Sequence, residues 1–329
     1  MNRRWMLLPA SAVLALAFVA GYRFAASAQR PGAAPPAAGP ELAELAQRVA
    51  ELEAALGSAP ARTLVELPVP EAAELFGQKV PLERPEVREG LAYELVLTAG
   101  RPLMPLLWMR RAPGVLPEIE QRLRRAKLPD DLKYVAMIES DLRWTTRSPA
   151  GALGLWQFME STATRHGLRV DRWLDERMDP GRSTDAALRY LAELKVRFGD
   201  WYLALAGYNA GENLVSRART EQGGLGYFDM YLPYETRRYV HRVLAAKLVY
   251  EHPERYGLAP MKPLHVPEYR TVEVRVTGKT GDLREIARAR GLSYAGLRIA
   301  NPHVLGPTLP RGTYQLRISS GIAPDATGS

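Results

Sequence analysis

Residues 128–168 read LPDDLKYVAMIESDLRWTTRSPAGALGLWQFMESTATRHGL, and the place of one acid within them, Glu139, puts the rest in order. Asp130 or Asp131, after Pro129, is the expected N-cap of a helix, with Leu132, Val135, Ala136 and Leu142 on one face. Glu139 falls on that stripe, seven residues past Leu132 and four past Val135, so burial of the apolar face carries its carboxyl toward the core. Desolvation disfavours the ionised form and raises the pKa, which is what a general acid needs near neutral pH. The commoner fate of a lone glutamate is the margin of a stripe, where it reaches water or an arginine.

The segment after Ser140 is a loop punctuated by Pro149, Gly151 and Gly154, which lets the backbone approach a ligand closely. Trp156 and Phe158 are expected in a cleft wall, and Gln157 offers both a donor and an acceptor to a neutral polar ligand. Sugars need that mixture.

Four ordered motifs now stand together: Glu139-Ser140, the run 154-GLWQFM-159, the run 206-AGYNAGE-212 and the run 233-PYETRRYV-240. They resemble the signatures of the soluble-lytic-transglycosylase catalytic domain, glycoside hydrolase family 23, across about residues 128–258, and within it the membrane-bound D type. The resemblance implies a mainly α, lysozyme-like catalytic domain preceded by a helical lead-in. It makes Glu139 catalytic and gives Ser148, Gln157, Met159, Tyr208 and Glu235 substrate-lining or supporting roles. Tyr208 is expected close to the glutamate, orienting the bound sugar. Relatives commonly carry proline where Glu160 and Glu212 stand, which puts cleft shape and local charge in question. The implied reaction cleaves the β-1,4 bond between N-acetylmuramic acid and N-acetylglucosamine, needs no cofactor or metal, and leaves a 1,6-anhydro sugar. A hydrolase of the same glycan would need a second carboxyl. Asp141 is directed away from the Glu139 face, leaving Asp179 and Glu235 as candidates. The other alternative is a wall-binding protein without activity.

Outward from this centre, the chain falls into five segments. Residues 1–28, with Arg3 and Arg4 before an apolar run from Trp5 to Tyr22, read as a signal peptide or membrane anchor and predict export to the periplasm or cell envelope. Residues 29–62 hold a Pro/Ala linker and a short heptad run through Leu42, Leu45, Val49, Leu52 and Leu56, a weak route to self-association through residues 41–56. Residues 63–128 read as a helical lead-in broken by prolines, in which residues 116–123 form a helix under the catalytic one and Arg122, Arg124 and Arg125 make a solvated face.

Within residues 129–258, Ser183 or Thr184 is an expected cap for a helix through Ala187, Leu191, Leu194 and Phe198 that ends at Gly199. Another helix starts at Trp201 and stops near Gly211, and a third opens at Tyr234. Residues 259–329 change character: strand alternation from Tyr269 to Val276, two short helices beginning at Gly281 and Leu292, and a returning strand through Tyr314 give a βααβ unit. It is similar to the LysM module, which binds N-acetylglucosamine-containing glycans, although the usual Gly-Asp-Thr-Leu opening is here Gly281-Asp282-Leu283.

The 329 residues carry a net charge of +8 and no cysteine, so disulfides and thiolate metal sites are excluded and an anionic partner is favoured. Residues 268–319 hold nine Lys/Arg against four Asp/Glu, five of those eight charges. The partner expected is the peptidoglycan glycan strand; no nucleic acid is expected, since an aromatic-basic pattern is absent. His166, His241, His252, His265 and His303 show no metal-ligand spacing and read as surface or satisfied residues.

Overall fold

The computed structural model describes residues 67–259, 261–262 and 268–319. The apolar start, the Pro/Ala linker, the heptad run and His265 lie outside the described residues.

The lead-in opens not with a helix but with a hairpin, β1 (Ala73–Leu75) paired to β2 (Gln78–Val80). Both turn residues have positive φ, Phe76 at 57° and Gly77 at 70°, as a two-residue hairpin turn requires. The phenylalanine tolerates this because it is held elsewhere: its N–H donates to Asp131 Oδ2 at 2.7 Å and its ring lies 5.7 Å from that of Trp201. Strands of three residues carry too little periodicity to show in a sequence.

Helix α1 (Pro85–Ala99) starts on proline and buries Val87, Leu91 and Leu95. Helix α2 (Leu103–Ala126) runs unbroken through Pro113 and Pro117, where the sequence suggested breaks and a helix confined to residues 116–123. Each internal proline costs about 3 kcal/mol. Burial of Ala112, Val115, Leu116, Ile119 and Leu123 on one face offsets that cost. Arg122 pairs with Glu118 and Asp185, while Arg124 and Arg125 face solvent.

Helix α3 (Lys133–Ser140) carries Glu139 and follows a 3-10 turn at Asp130–Leu132. Neither aspartate caps it. Asp130 pairs with Lys133, and Asp131 is taken up by the Phe76 N–H and Lys247. The helix also ends before Leu142, which is buried from a left-handed turn, φ 54° at Asp141 and 59° at Leu142, rather than from the helical face.

After α4 (Glu160–Arg165), α5 (Pro180–Phe198) begins four or five residues earlier than the sequence suggested. Asp179 is its cap, accepting from the Arg182 N–H at 2.9 Å. Ser183 and Thr184 sit inside the first turns and donate to the carbonyls four residues back. It ends at Gly199 as expected, in the left-handed conformation. Helices α6 (Trp201–Ala210), α7 (Glu212–Glu221) and α8 (Tyr234–Glu251) follow. Long α8 packs on α1, α3 and α6, and is the scaffold against which the short helix carrying Glu139 is seated.

The C-terminal part is βααβ: β3 (Tyr269–Asp282), α9 (Leu283–Arg288), α10 (Tyr294–Ala300) and β4 (Thr308–Ser319). The strands are antiparallel, Val274 opposite Tyr314, with a bulge between Val276 and Thr280. Its small core of Val274, Val276, Leu283, Leu297, Leu309, Leu316 and Ile318 also takes in Leu174 from the loop before α5. That loop is fixed by Asp175 N–H to His303 O at 2.8 Å and Leu305 N–H to Trp173 O at 2.9 Å. Nearby, Arg317 pairs with Glu118 and lies over the Trp144 ring. With ten helices and two small two-stranded sheets among the described residues, the fold is the mainly α architecture expected. No described helix is long and apolar enough to cross a membrane.

Candidate active site

Glu139 occupies the penultimate position of α3, and the left-handed turn at Asp141 and Leu142 ends the helix directly beyond it. The residue is half-buried, and its Oε1 accepts a short hydrogen bond from the hydroxyl of Tyr239, a fully buried residue of α8. Burial pushes the carboxyl above its usual range; the Tyr239 bond and the Arg242 charge pull the other way and do not cancel it, and Glu235 adds to the rise. Burial first, and then the Glu139 charge, push the Tyr239 and Tyr208 hydroxyls well up, so both remain O–H donors.

All six residues singled out in the sequence, Glu139, Ser148, Gln157, Met159, Tyr208 and Glu235, line one cleft of about 600 Å³. Their duties differ. Ser148 Oγ accepts from the Ala152 N–H at 3.0 Å and holds the 148–152 loop closed. Gln157, at φ 49°, donates through Nε2 to Thr146 O at 2.9 Å and Gly154 O at 2.8 Å. Both amide hydrogens are therefore committed to the backbone, and only the side-chain oxygen is left for a ligand, not the donor and acceptor expected. Tyr208 donates to Trp156 O at 2.7 Å, and its ring meets Phe158 edge-on at 6.4 Å. Met159 is exposed at the wall, and Glu235, in the first turn of α8, is exposed with Arg242 Nη1 at 3.8 Å.

Phe158 lines the cleft, but Trp156 does not: it is wholly buried, with Nε1 donating to Thr184 Oγ1 at 2.9 Å. Residues 154–157 form a turn, with Gln157 in the left-handed region, and this bend separates the two aromatics. At Gly154, φ 87°, a Cβ would lie 1.8 Å from the Arg177 carbonyl oxygen, so the turn admits only glycine.

Reading the sequence gave no role to Tyr239, though its place among the buried residues of α8 was a signal, since a buried tyrosine hydroxyl needs a partner. Also in the lining are Tyr190 and Asn209; the latter accepts from Thr236 Oγ1 at 2.8 Å, tying α6 to α8. Glu212 brings no loose charge into the cleft. Arg165 bonds it at 2.7 Å and the Tyr190 hydroxyl at 2.7 Å; against the upward push of burial, these donors hold its carboxyl below the usual range. Glu160 is exposed at the start of α4, outside the lining.

Asp179 is no second carboxyl for the cleft, because it caps α5 and faces His303 at 3.8 Å. Asp141 accepts from Trp108 Nε1 at 2.9 Å on the α2 side. His166, His241 and His303 are neither surface residues nor fully satisfied: each is buried with one ring nitrogen lacking a partner, and burial lowers their pKa values, favouring neutral rings. Among the described residues, no group of three or more His, Asp or Glu side chains is placed to hold a metal ion.

Residues 117–230 match the transglycosylase SLT domain family. Over 204 residues the chain is 30% identical to membrane-bound lytic murein transglycosylase D of Escherichia coli K12, covering 60% of this chain and 44% of that relative. It is 37% identical over 117 residues to peptidoglycan transglycosylase gp16 of Escherichia phage T7, covering 35% of this chain and 9% of the relative. Among solved structures, the 70 kDa soluble lytic transglycosylase of Escherichia coli aligns with 42% of this chain and 24% of its own, at 26% identity and a TM-score of 0.36. The chain thus spans less than half the length of each of these relatives.

Proposed function

Residues 117–230 make a transglycosylase SLT domain, and from that premise we propose that the chain cuts peptidoglycan glycan strands at the β-1,4 bond between N-acetylmuramic acid and N-acetylglucosamine, with Glu139 as acid and then base. The observation that carries this is the partnering of Glu139: a carboxyl held toward its protonated form by burial, open to a sugar-sized cleft, and bonded by a single tyrosine hydroxyl.

In the first half of the reaction, Glu139 gives its proton to the glycosidic oxygen as the C1–O4 bond breaks. The carboxylate produced keeps the Tyr239 hydrogen bond, and Arg242 contributes a favourable field. In the second half, the carboxylate takes the proton of the muramoyl 6-hydroxyl as O6 closes on C1. The proton inventory balances with no water consumed, and Glu139 ends protonated for the next cycle. Gln157, Met159, Tyr208, Ser148 and Glu235 line the sugar, the tyrosine ring as a wall and the Gln157 oxygen as an acceptor.

The hydrolytic alternative needs a carboxylate to activate water. In the cleft that residue is Glu235, which is exposed and near Arg242, whereas Glu212 is tied to Arg165 and Tyr190. The C-terminal βααβ unit, carrying most of the net positive charge, is read as a LysM-like module that holds the wall polymer, and the site of action as the cell envelope. Purified peptidoglycan incubated with the protein is expected to release soluble muropeptides, and Glu139→Gln to bind the polymer with at least about 10³-fold slower release. Release undiminished in Glu139→Gln would contradict the assignment.

A further inference from the structure

A second cavity, of about 520 Å³, adjoins the cleft at Glu235, which lines both. Its floor and walls come mainly from elements outside the matched domain: Glu94, Arg101 and Trp108 from the lead-in, Tyr234, Arg238 and Arg242 from α8. The two cavities differ in charge type. The cleft at Glu139 is lined by three glutamates and no lysine or arginine, whereas its neighbour sets three arginines beside three acids, Glu94, Asp141 and the shared Glu235.

Two of the three acids of this second cavity already have short-range protein partners. Glu94 is buried and bonded by Arg238 Nε at 2.5 Å, and Asp141 accepts from Trp108. The arginines are less engaged. Arg238 uses Nε for Glu94 and holds its guanidinium 4.8 and 5.1 Å from the Tyr93 and Tyr234 ring centres, with neither Nη in a hydrogen bond among the described residues. Arg242 makes only long contacts, 3.5 Å to Ile138 O and 3.8 Å to Glu235. Arg101 is exposed and makes no hydrogen bond or ion pair among the described residues. Guanidinium forks with spare donors, next to exposed tyrosine, match carboxylates carried on a flexible chain.

We propose that this cavity binds the carboxylate-bearing peptide attached to the muramoyl sugar of the strand held in the cleft. The inference rests on the peptidoglycan reading above. The peptide leaves the sugar beside Glu235 and runs over α1 and α8, so the chain prefers peptide-bearing strands to bare ones.

The test is calorimetric binding to full-length Glu139→Gln protein, so that turnover plays no part. The probes are a soluble disaccharide muropeptide and the same disaccharide stripped of its peptide by an amidase. The muropeptide is expected to bind about tenfold more tightly, the scale of one charge-assisted hydrogen bond. Adding Arg101→Ala should shrink the ratio of the two affinities to about threefold or less, and Arg101→Glu should abolish it. Arg101 is exposed, so both variants are expected to fold, which thermal melts check. Equal affinities in the parent protein, or a ratio untouched by Arg101→Glu, would overturn the proposal. Binding of neither fragment would overturn the substrate class itself and the proposal with it. A preserved muropeptide preference in a protein that never cleaves would leave this proposal standing while removing the catalytic reading.

Discussion

Buried charge is handled in opposite ways at two places in this molecule. At the junction between the helical region and the C-terminal unit, Arg177 and Asp175 are both almost fully buried and fully partnered. The guanidinium reaches Asp175 through Nε at 2.9 Å and Nη2 at 2.7 Å, and spends Nη1 on the carbonyls of Gly151 and Phe158. At the cleft, Glu139 has one hydroxyl donor, an arginine that acts only as a nearby charge, and a glutamate that opposes ionisation. The first arrangement fixes a loop. The second leaves a proton free to move. Saturated partners make a buried ion structural, and a deficit of partners makes it reactive.

Breaking the junction gives the largest expected effect on folding. Arg177→Ala strands the Asp175 carboxylate and releases the 151–158 loop, and should lower stability by about 3–5 kcal/mol, read by denaturant titration. A loss below about 1 kcal/mol would show that water replaces the guanidinium and that the two places are not so different.

At the cleft, Tyr239→Phe should leave the fold intact and reduce turnover about tenfold, since in the proposed reaction the hydroxyl stabilises the Glu139 carboxylate formed midway. The Tyr239 bond lowers the Glu139 pKa, so its removal should move the basic limb of the pH profile to higher pH. An unmoved limb would mean that Tyr239 only fills space.

The smallest effect concerns stability against pH. Burial raises the folded Glu139 pKa above its ordinary 4.5. Below that value the carboxyl is protonated in both states and folding bears no penalty. As pH rises, the unfolded chain releases its proton first, and stability falls until the folded group ionises too. Glu139→Gln lacks that proton, so its melting temperature should match the parent at low pH and exceed it increasingly toward neutrality. A constant offset at all pH values would place the carboxyl in open water.

The place of Glu139 was legible in the sequence from helical periodicity, and the roles of Ser148, Gln157, Met159, Tyr208 and Glu235 from the resemblance carried by four ordered motifs. Glu139 falls on an apolar stripe, and the helices opening at Trp201 and Tyr234 bring Tyr208 and Glu235 to the same cleft. The βααβ order of the C-terminal unit followed from alternation and glycine placement. What stayed hidden depended on tertiary partners. Pro113 and Pro117 do not break α2 because its buried face outweighs their local cost. Asp130 and Asp131 do not cap because Lys133, Lys247 and a hairpin amide claim them. Gln157 spends its amide on carbonyls that only the folded loop brings near. Tyr239 was hidden among the core residues of α8 until the packing of α3 showed which acid its hydroxyl meets.

The claim that one carboxyl serves as both acid and base is tested most directly by digesting peptidoglycan in H₂¹⁸O and identifying the new muramoyl ends by mass spectrometry. Closure by O6 predicts 1,6-anhydro ends with no ¹⁸O incorporated. Reducing ends carrying ¹⁸O would show that water attacks C1, and would hand the second role to another group, with Glu235 the first to examine.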